Sequence, residues 1–165
     1  MKTHRIVTLS FVFLTFAATS ATAVPSAVGH YGGTAFGLDA PTLAAFDSTR
    51  EGILRNIEIV GLQAFSVSTV PGLGTQPAVV RSTNVTRRET PQLRLRANGT
   101  FSGSFVLSDP SRLDFRNATV RVAGRLGGRR GFIHFRIEMN NTYEDGSSEV
   151  AGGSIRIPVR LASRR

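Results

Sequence analysis

The sequence predicts an all-β fold, either an antiparallel β-sandwich or a small, flattened β-barrel, preceded by a cleaved signal peptide. Apolar residues recur at every second position through most of Leu93 to Leu161, the period of half-buried strands. Turn chemistry interrupts that alternation at spacings of roughly ten residues, as hairpin-connected strands require. The 165 residues include no cysteine and no tryptophan. The fold therefore rests on its own core, and disulfide scaffolds, thiolate metal sites and thiol nucleophiles are excluded.

Met1 to Ala23 reads as an address. Lys2, His4 and Arg5 open it, an apolar run follows from Ile6 to Ala18, and Ala21-Thr22-Ala23 supplies the small-x-small cleavage pattern. The run is too short to cross a hydrocarbon core, which takes about 20 apolar residues. No second stretch of spanning length follows. The expectation is a secreted protein, extracellular or in the cell envelope, with residues 1–23 as leader and 24–165 as one domain.

In the first half of that domain the alternation is weaker. Tyr31 to Phe36 is a strand candidate, with Gly32 and Gly33 either weakening it or permitting a close neighbour. Ala40 to Arg55 is the one stretch with helical potential, through Leu43, Ala44, Ala45 and Phe46. Asp47 and Gly52 keep it short. Ile57 and Ile59, then Phe65 and Val67, read as a strand pair or as one strand with a bulge. Thr69 to Pro77, with two prolines and two glycines, reads as a loop. Arg81 to Pro91 reads as an exposed connection or a ragged edge strand.

From Leu93 the pattern sharpens. Leu93 and Leu95 alternate with Arg94 and Arg96, and Asn98-Gly99 offers a tight turn. Phe101, Gly103, Phe105 and Leu107 share a face, and Ser108 to Ser111 is turn chemistry. Val120 and Val122 alternate with Arg121 and Ala123, and Gly127-Gly128 marks the next hairpin. Ile133, Phe135, Ile137 and Met139 oppose His134, Arg136 and Glu138. Ile155, Ile157, Val159 and Leu161 close the series. Pro158, on the outward parity, places this last segment at a sheet edge, because proline donates nothing to a ladder.

Short elements in this order resemble a loose group of uncharacterised exported all-β proteins of actinobacteria. The matching stretches are Tyr31-Gly32-Gly33-Thr34, Gly99-Thr100-Phe101, Val122 to Leu126, and the glycine–arginine hairpin Gly127 to Gly131. Members often carry a cysteine pair and a late tryptophan, which this chain lacks. The resemblance implies export and β architecture. It transfers no activity and no site.

Charge gives the strongest functional signal. After the leader, 18 arginines face 11 acidic residues, and no lysine remains. Val24 to Val80 has a net charge of −2 and Arg81 to Arg165 a net charge of +9. Arg125, Arg129 and Arg130 cluster at one hairpin, where guanidinium groups can grip sulfate, phosphate or carboxylate bidentately. The expected partner is an acidic extracellular polymer or an anionic surface. Alternatively, arginine-only composition reflects a GC-rich genome and arginines on strands solubilise an exposed face. Sequence-specific nucleic-acid reading is not expected, because most phenylalanines lie on the inward parity, away from bases.

Two other function classes stand beside this one. A carrier for a small apolar ligand would close the sheet around a pocket, and Ala97, Gly103 and Gly124 on inward positions leave it room. An extracellular hydrolase would use His134, near Arg136 and Glu138 on one strand face, although strand neighbours about 7 Å apart rarely share a proton. No nucleophile elbow, phosphate loop or metal-ligand spacing is present, so no cofactor is expected. Glu144, Asp145 and Glu149 form the densest acidic patch, read as a solvated loop rather than a Ca²⁺ site. Four Asn-x-Thr sequons occur at Asn84, Asn98, Asn117 and Asn140. In a eukaryotic secretory route each can carry a glycan; in a bacterium they are turn chemistry only.

Overall fold

The computed structural model describes residues 27–108 and 115–163. The leader, the Asp109–Ser111 part of the predicted turn and the last two arginines lie outside these. Every regular element among the described residues is a strand. They are β1 (Gly29–Phe36), β2 (Pro41–Ser48), β3 (Ile53–Val70), β4 (Gly74–Thr75), β5 (Val79–Val85), β6 (Leu93–Arg94), β7 (Thr100–Val106), β8 (Thr119–Gly127), β9 (Arg130–Thr142) and β10 (Ser148–Ser163). All pairings are antiparallel and join one sheet, in the order β4-β3-β2-β1-β10-β9-β8-β7, with β5 and β6 also on β3. No helix among them is long and apolar enough to cross a membrane.

The helical potential at Ala40–Arg55 is not realised. Thr42, Ala44 and Phe46 all point into the core at period two, and β2 pairs on both edges, with β1 and β3. Tertiary pairing overrides a weak local preference. The two segments around Ile57 and Phe65 are one 18-residue strand. It carries two irregularities, at Asn56 (φ 54°) and Gly61 (φ 73°). Each inserts a residue and resets the parity, so that Leu54, Ile57, Ile59, Leu62 and Ala64 are all buried. The predicted loop Thr69–Pro77 contains a short β-ladder between β3 and β4. Half of Arg81–Pro91 belongs to β5, paired along β3.

From β7 to β10 the inward set is the predicted one, with Phe101, Leu107, Val120, Val122, Ile133, Phe135, Ile137, Ile157 and Val159 buried. β10 is nevertheless not an edge strand. One side pairs with β9 along residues 148–160. The other takes β3 at residues 148–152 and β1 from Arg160 onward. Pro158 lies in the unpaired stretch between those ladders. Its carbonyl faces Gly33 of β1, and a strand residue's N and C=O point to the same neighbour. The missing donor therefore costs the β9 ladder nothing.

The core runs from an aromatic stack outward. Tyr31 and Phe46 stack at 5.4 Å and 4°, and Phe101 tilts onto Phe46 at 6.4 Å. The Tyr31 hydroxyl reaches Ala27 O at 2.9 Å and Gly128 O at 2.7 Å, tying β1 to the β8–β9 hairpin. At the far end of the strand order, Arg96 N donates to Thr100 O at 2.8 Å and Leu93 packs over Gly103, so β6 lies beside β7.

Burial raises the Tyr31 pKa above its ordinary 10.0, against a backbone hydrogen bond at Ala27 and the charge of Arg129, which pull it down. The folded state thus favours the neutral phenol. That stability is fully present below pH 10, where the unfolded tyrosine is also neutral. It is lost as pH rises through the raised folded value. Urea unfolding between about pH 8 and 11 is expected to show a midpoint that falls above pH 10 in the wild type, and Tyr31→Phe is expected to flatten that fall. An equally steep fall in the variant would assign the alkaline transition elsewhere.

Candidate functional site

An arginine-rich strip covers the outer face of β8, β9 and β10. The ladder registers set it out in rows: Arg121–Arg136–Ser154, Ala123–His134–Arg156, Arg125–Phe132–Pro158 and Gly127–Arg130–Arg160. The inward residues that alternate with these positions are the apolar residues of the core, so the alternation that builds the sheet also exports the arginines. Six arginines stand in these four rows with no carboxylate among them, and the next row, Thr119–Glu138–Gly152, supplies one, Glu138. Arg136 holds Glu138 Oε1 at 2.5 Å and Arg121 approaches Oε2 at 3.5 Å. These are exposed pairs, worth less than about 1 kcal/mol each. Their arrangement nonetheless relieves the like charges of Arg121 and Arg136, which sit directly opposite each other.

Arg130 and Arg160 are a second directly opposed pair of like charges. No carboxylate among the described residues bridges them. Beside them, Arg156 lies 3.7 Å over the Phe132 ring, a cation–π contact that fixes its guanidinium on the surface. A shallow depression of about 340 Å³ is lined by Arg125, Gly127, Gly131 and Phe132. Gly131 allows β8 to approach β9 closely there, since a Cβ on it would meet Arg125 O and the Leu126 side chain.

Of the arginines singled out from sequence, Arg125 and Arg130 share the strip's outer face. Arg129 sits in the turn between them, its carbonyl accepting Leu161 N at 2.9 Å, and its charge acts on Tyr31. The hairpin alone is therefore not the unit. Arg156 and Arg160, 26 and more residues away in sequence from Arg130, complete the face through β9–β10 pairing.

His134 is an outward strand residue in the middle of the strip, opposite Ala123 and Arg156. The histidine that meets a carboxylate is instead His30. Its Nδ1 lies 3.1 Å from Asp47 Oδ1, across the β1–β2 ladder. Asn56 Nδ2 donates to the second oxygen at 2.8 Å, which also anchors the first irregularity of β3. The Asp47 side chain is 6% exposed and His30 43%. Such a carboxylate orients an imidazole and fixes its tautomer. Sequence reasoning misses the pair because Asp47 falls in the stretch with helical potential, where a cross-strand partner has no meaning.

The acidic patch divides. Asp145 accepts Ser147 N at 2.9 Å and Ser147 Oγ at 2.6 Å, and these bonds hold its pKa below the usual carboxylate value. Glu149 turns inward, accepting Ser66 Oγ at 2.5 Å, Tyr143 OH at 3.2 Å and Arg81 Nη1 at 2.9 Å. No group of three metal-ligating side chains assembles among the described residues. The inward positions left small in sequence are filled. A Cβ on Gly103 would meet the Leu93 side chain, and one on Gly124 would meet the Phe101 ring. Ala97 is exposed in the β6–β7 turn rather than inward.

Compared with known proteins, the chain matches no family model, no curated protein and no solved structure.

Proposed function

We propose that the protein is an exported β-domain that binds linear polyanions along the outer face of β8, β9 and β10. The carrying observation is that face itself: six arginines against one glutamate, including the opposed Arg130–Arg160 pair. Like charges directly across a ladder cost stability. An anion seated between them recovers that cost, and the planar guanidinium matches sulfate, phosphate or carboxylate. Four successive rows give a strip about 20 Å long, suited to a polymer rather than a single small anion. The curved sheet is read as a flattened barrel, supported by β6 pairing with β3 while lying beside β7. Leu93 and Phe101 take up the room beside Gly103 and Gly124, which favours this reading over a carrier.

The test uses double-stranded DNA as a phosphate polymer and follows affinity against salt. Replacing Arg125, Arg130, Arg156 and Arg160 together with glutamine is expected to lower the slope of log K on log salt by about 0.9 for each phosphate that is no longer neutralised. Replacing Arg50 and Arg55, which lie away from the strip, is expected to leave it unchanged. Equal slopes for the two variants would overturn the proposal.

A further inference from the structure

An open depression of about 750 Å³ lies on the outer face at the other end of the same strands, lined by Phe65, Val67, Asn117, Asn140, Val150 and Gly152 among others. Phe65 is 50% and Val150 52% exposed. Contiguous exposed apolar residues mark a surface that a partner group can cover. Two of the lining residues, Asn117 and Asn140, head Asn-x-Thr sequons. Asn140 sits directly opposite Val150, which in turn sits opposite Val67. We propose that Asn117 and Asn140 are N-glycosylation sites and that their glycans cover this apolar depression, with the Phe65 ring as the surface on which a sugar face packs.

Three observations favour modification over turn chemistry. Four of the six asparagines carry threonine two residues on, although threonine is only 16 of 165 residues, so chance placement gives fewer than one. All four sequon asparagines are exposed. The two asparagines without a sequon spend their Nδ2, the atom a glycan needs, on the fold: Asn56 donates to Asp47 and Asn141 to Arg116 O at 2.8 Å. At Asn98, by contrast, the side chain works through Oδ1, accepting Thr100 N and Oγ1 at 3.1 and 2.7 Å.

The co-reactant is a polyprenyl-diphosphate-linked oligosaccharide. Asparagine Nδ2 attacks the anomeric carbon, the N–C1 bond forms as the C1–O bond breaks, the polyprenyl diphosphate leaves, and Nδ2 gives up one proton. This requires export through a secretory route that supplies such a lipid-linked donor. The depression borders the polyanion strip, since Arg121 and Glu138 line it, while the rows holding Arg125, Arg130, Arg156 and Arg160 lie outside it.

Protein recovered from its own host is digested, and the peptides are treated with peptide N-glycanase in heavy-oxygen water. Label at Asn117 and Asn140, converted to aspartate, is expected; an unlabelled Asn117 or Asn140 overturns the proposal. Coverage is read on the intact folded protein with an environment-sensitive apolar dye. Enzymatic glycan removal is expected to raise the fluorescence severalfold, and Phe65→Ser is expected to abolish that rise. Fluorescence that does not change on glycan removal overturns the covering role even where both sites are labelled.

Discussion

Replacing Phe46 with alanine is expected to cost about 3–5 kcal/mol of stability, the range for a large aromatic deleted from a packed core. Phe46 is fully buried, with Tyr31 stacked on one side and Phe101 tilted on the other. Those three rings come from β1, β2 and β7, strands that share no ladder apart from β1–β2. The truncation therefore opens a void between β2 and β7, which are not ladder partners, and a backbone already fixed by ladders relaxes poorly into it. In a chain of this size the loss corresponds to a fall in Tm of roughly 10–15 °C. Phe46→Leu keeps most of the volume and is expected to cost less than about 1.5 kcal/mol. Phe36→Ala supplies the contrast, since that ring is 73% exposed; it is expected to stay within about 0.5 kcal/mol of wild type. Thermal and urea unfolding of the three variants checks the order. A Phe46→Ala protein as stable as Phe36→Ala would mean that the stack does not organise the core.

The strands from Phe101 onward are legible because each buries one face only, and burial of one face writes itself as period two. Phe101, Val120, Ile133 and Ile157 all lie where that parity places them. Legibility fails where the chain breaks parity. Asn56 and Gly61 each shift the phase of β3 by one residue, so no single period describes its 18 residues. β2 fails for another reason. Ala44, Ala45 and Phe46 have helical potential, and only the two neighbours that flank β2 decide against it.

The candidate site is half legible. Arg125 and Arg130 are visible because a hairpin brings nearby residues together. Arg156 and Arg160 are not, since nothing local says that β10 lies next to β9 along its length. The His30–Asp47 contact is out of reach on the same grounds. Its geometry depends on which residue of β2 faces which residue of β1, beside an irregularity between Ala45 and Asp47 that displaces the β2–β3 register.

Gly33→Ala is expected to be strongly destabilising. Glycine to alanine in an accommodating position stabilises by about 0.4–1 kcal/mol, through the unfolded state. At Gly33 the sign reverses. The β1–β10 ladder stops at Gly32–Arg160, and immediately afterwards the Gly33 backbone crosses against the Pro158 carbonyl, where a Cβ would overlap that carbonyl and crowd Val159 Cγ1. A flexible side chain could yield; a carbonyl whose own strand is laddered to β9 on its far side cannot. The expected cost is about 3 kcal/mol or more, at or above the upper end for overpacking. Gly152→Ala on the same sheet meets nothing within 4 Å, and is expected to be neutral or slightly stabilising. The comparison isolates the crossing from any general effect of removing glycine. It also tests why β10 tolerates proline away from an edge. If the fork between β1 and β3 is what frees the Pro158 nitrogen from pairing, then the residue that lets β1 pass that point must be one without a side chain. Equal stabilities for Gly33→Ala and Gly152→Ala would show that β1 does not approach β10 as closely as the fork requires.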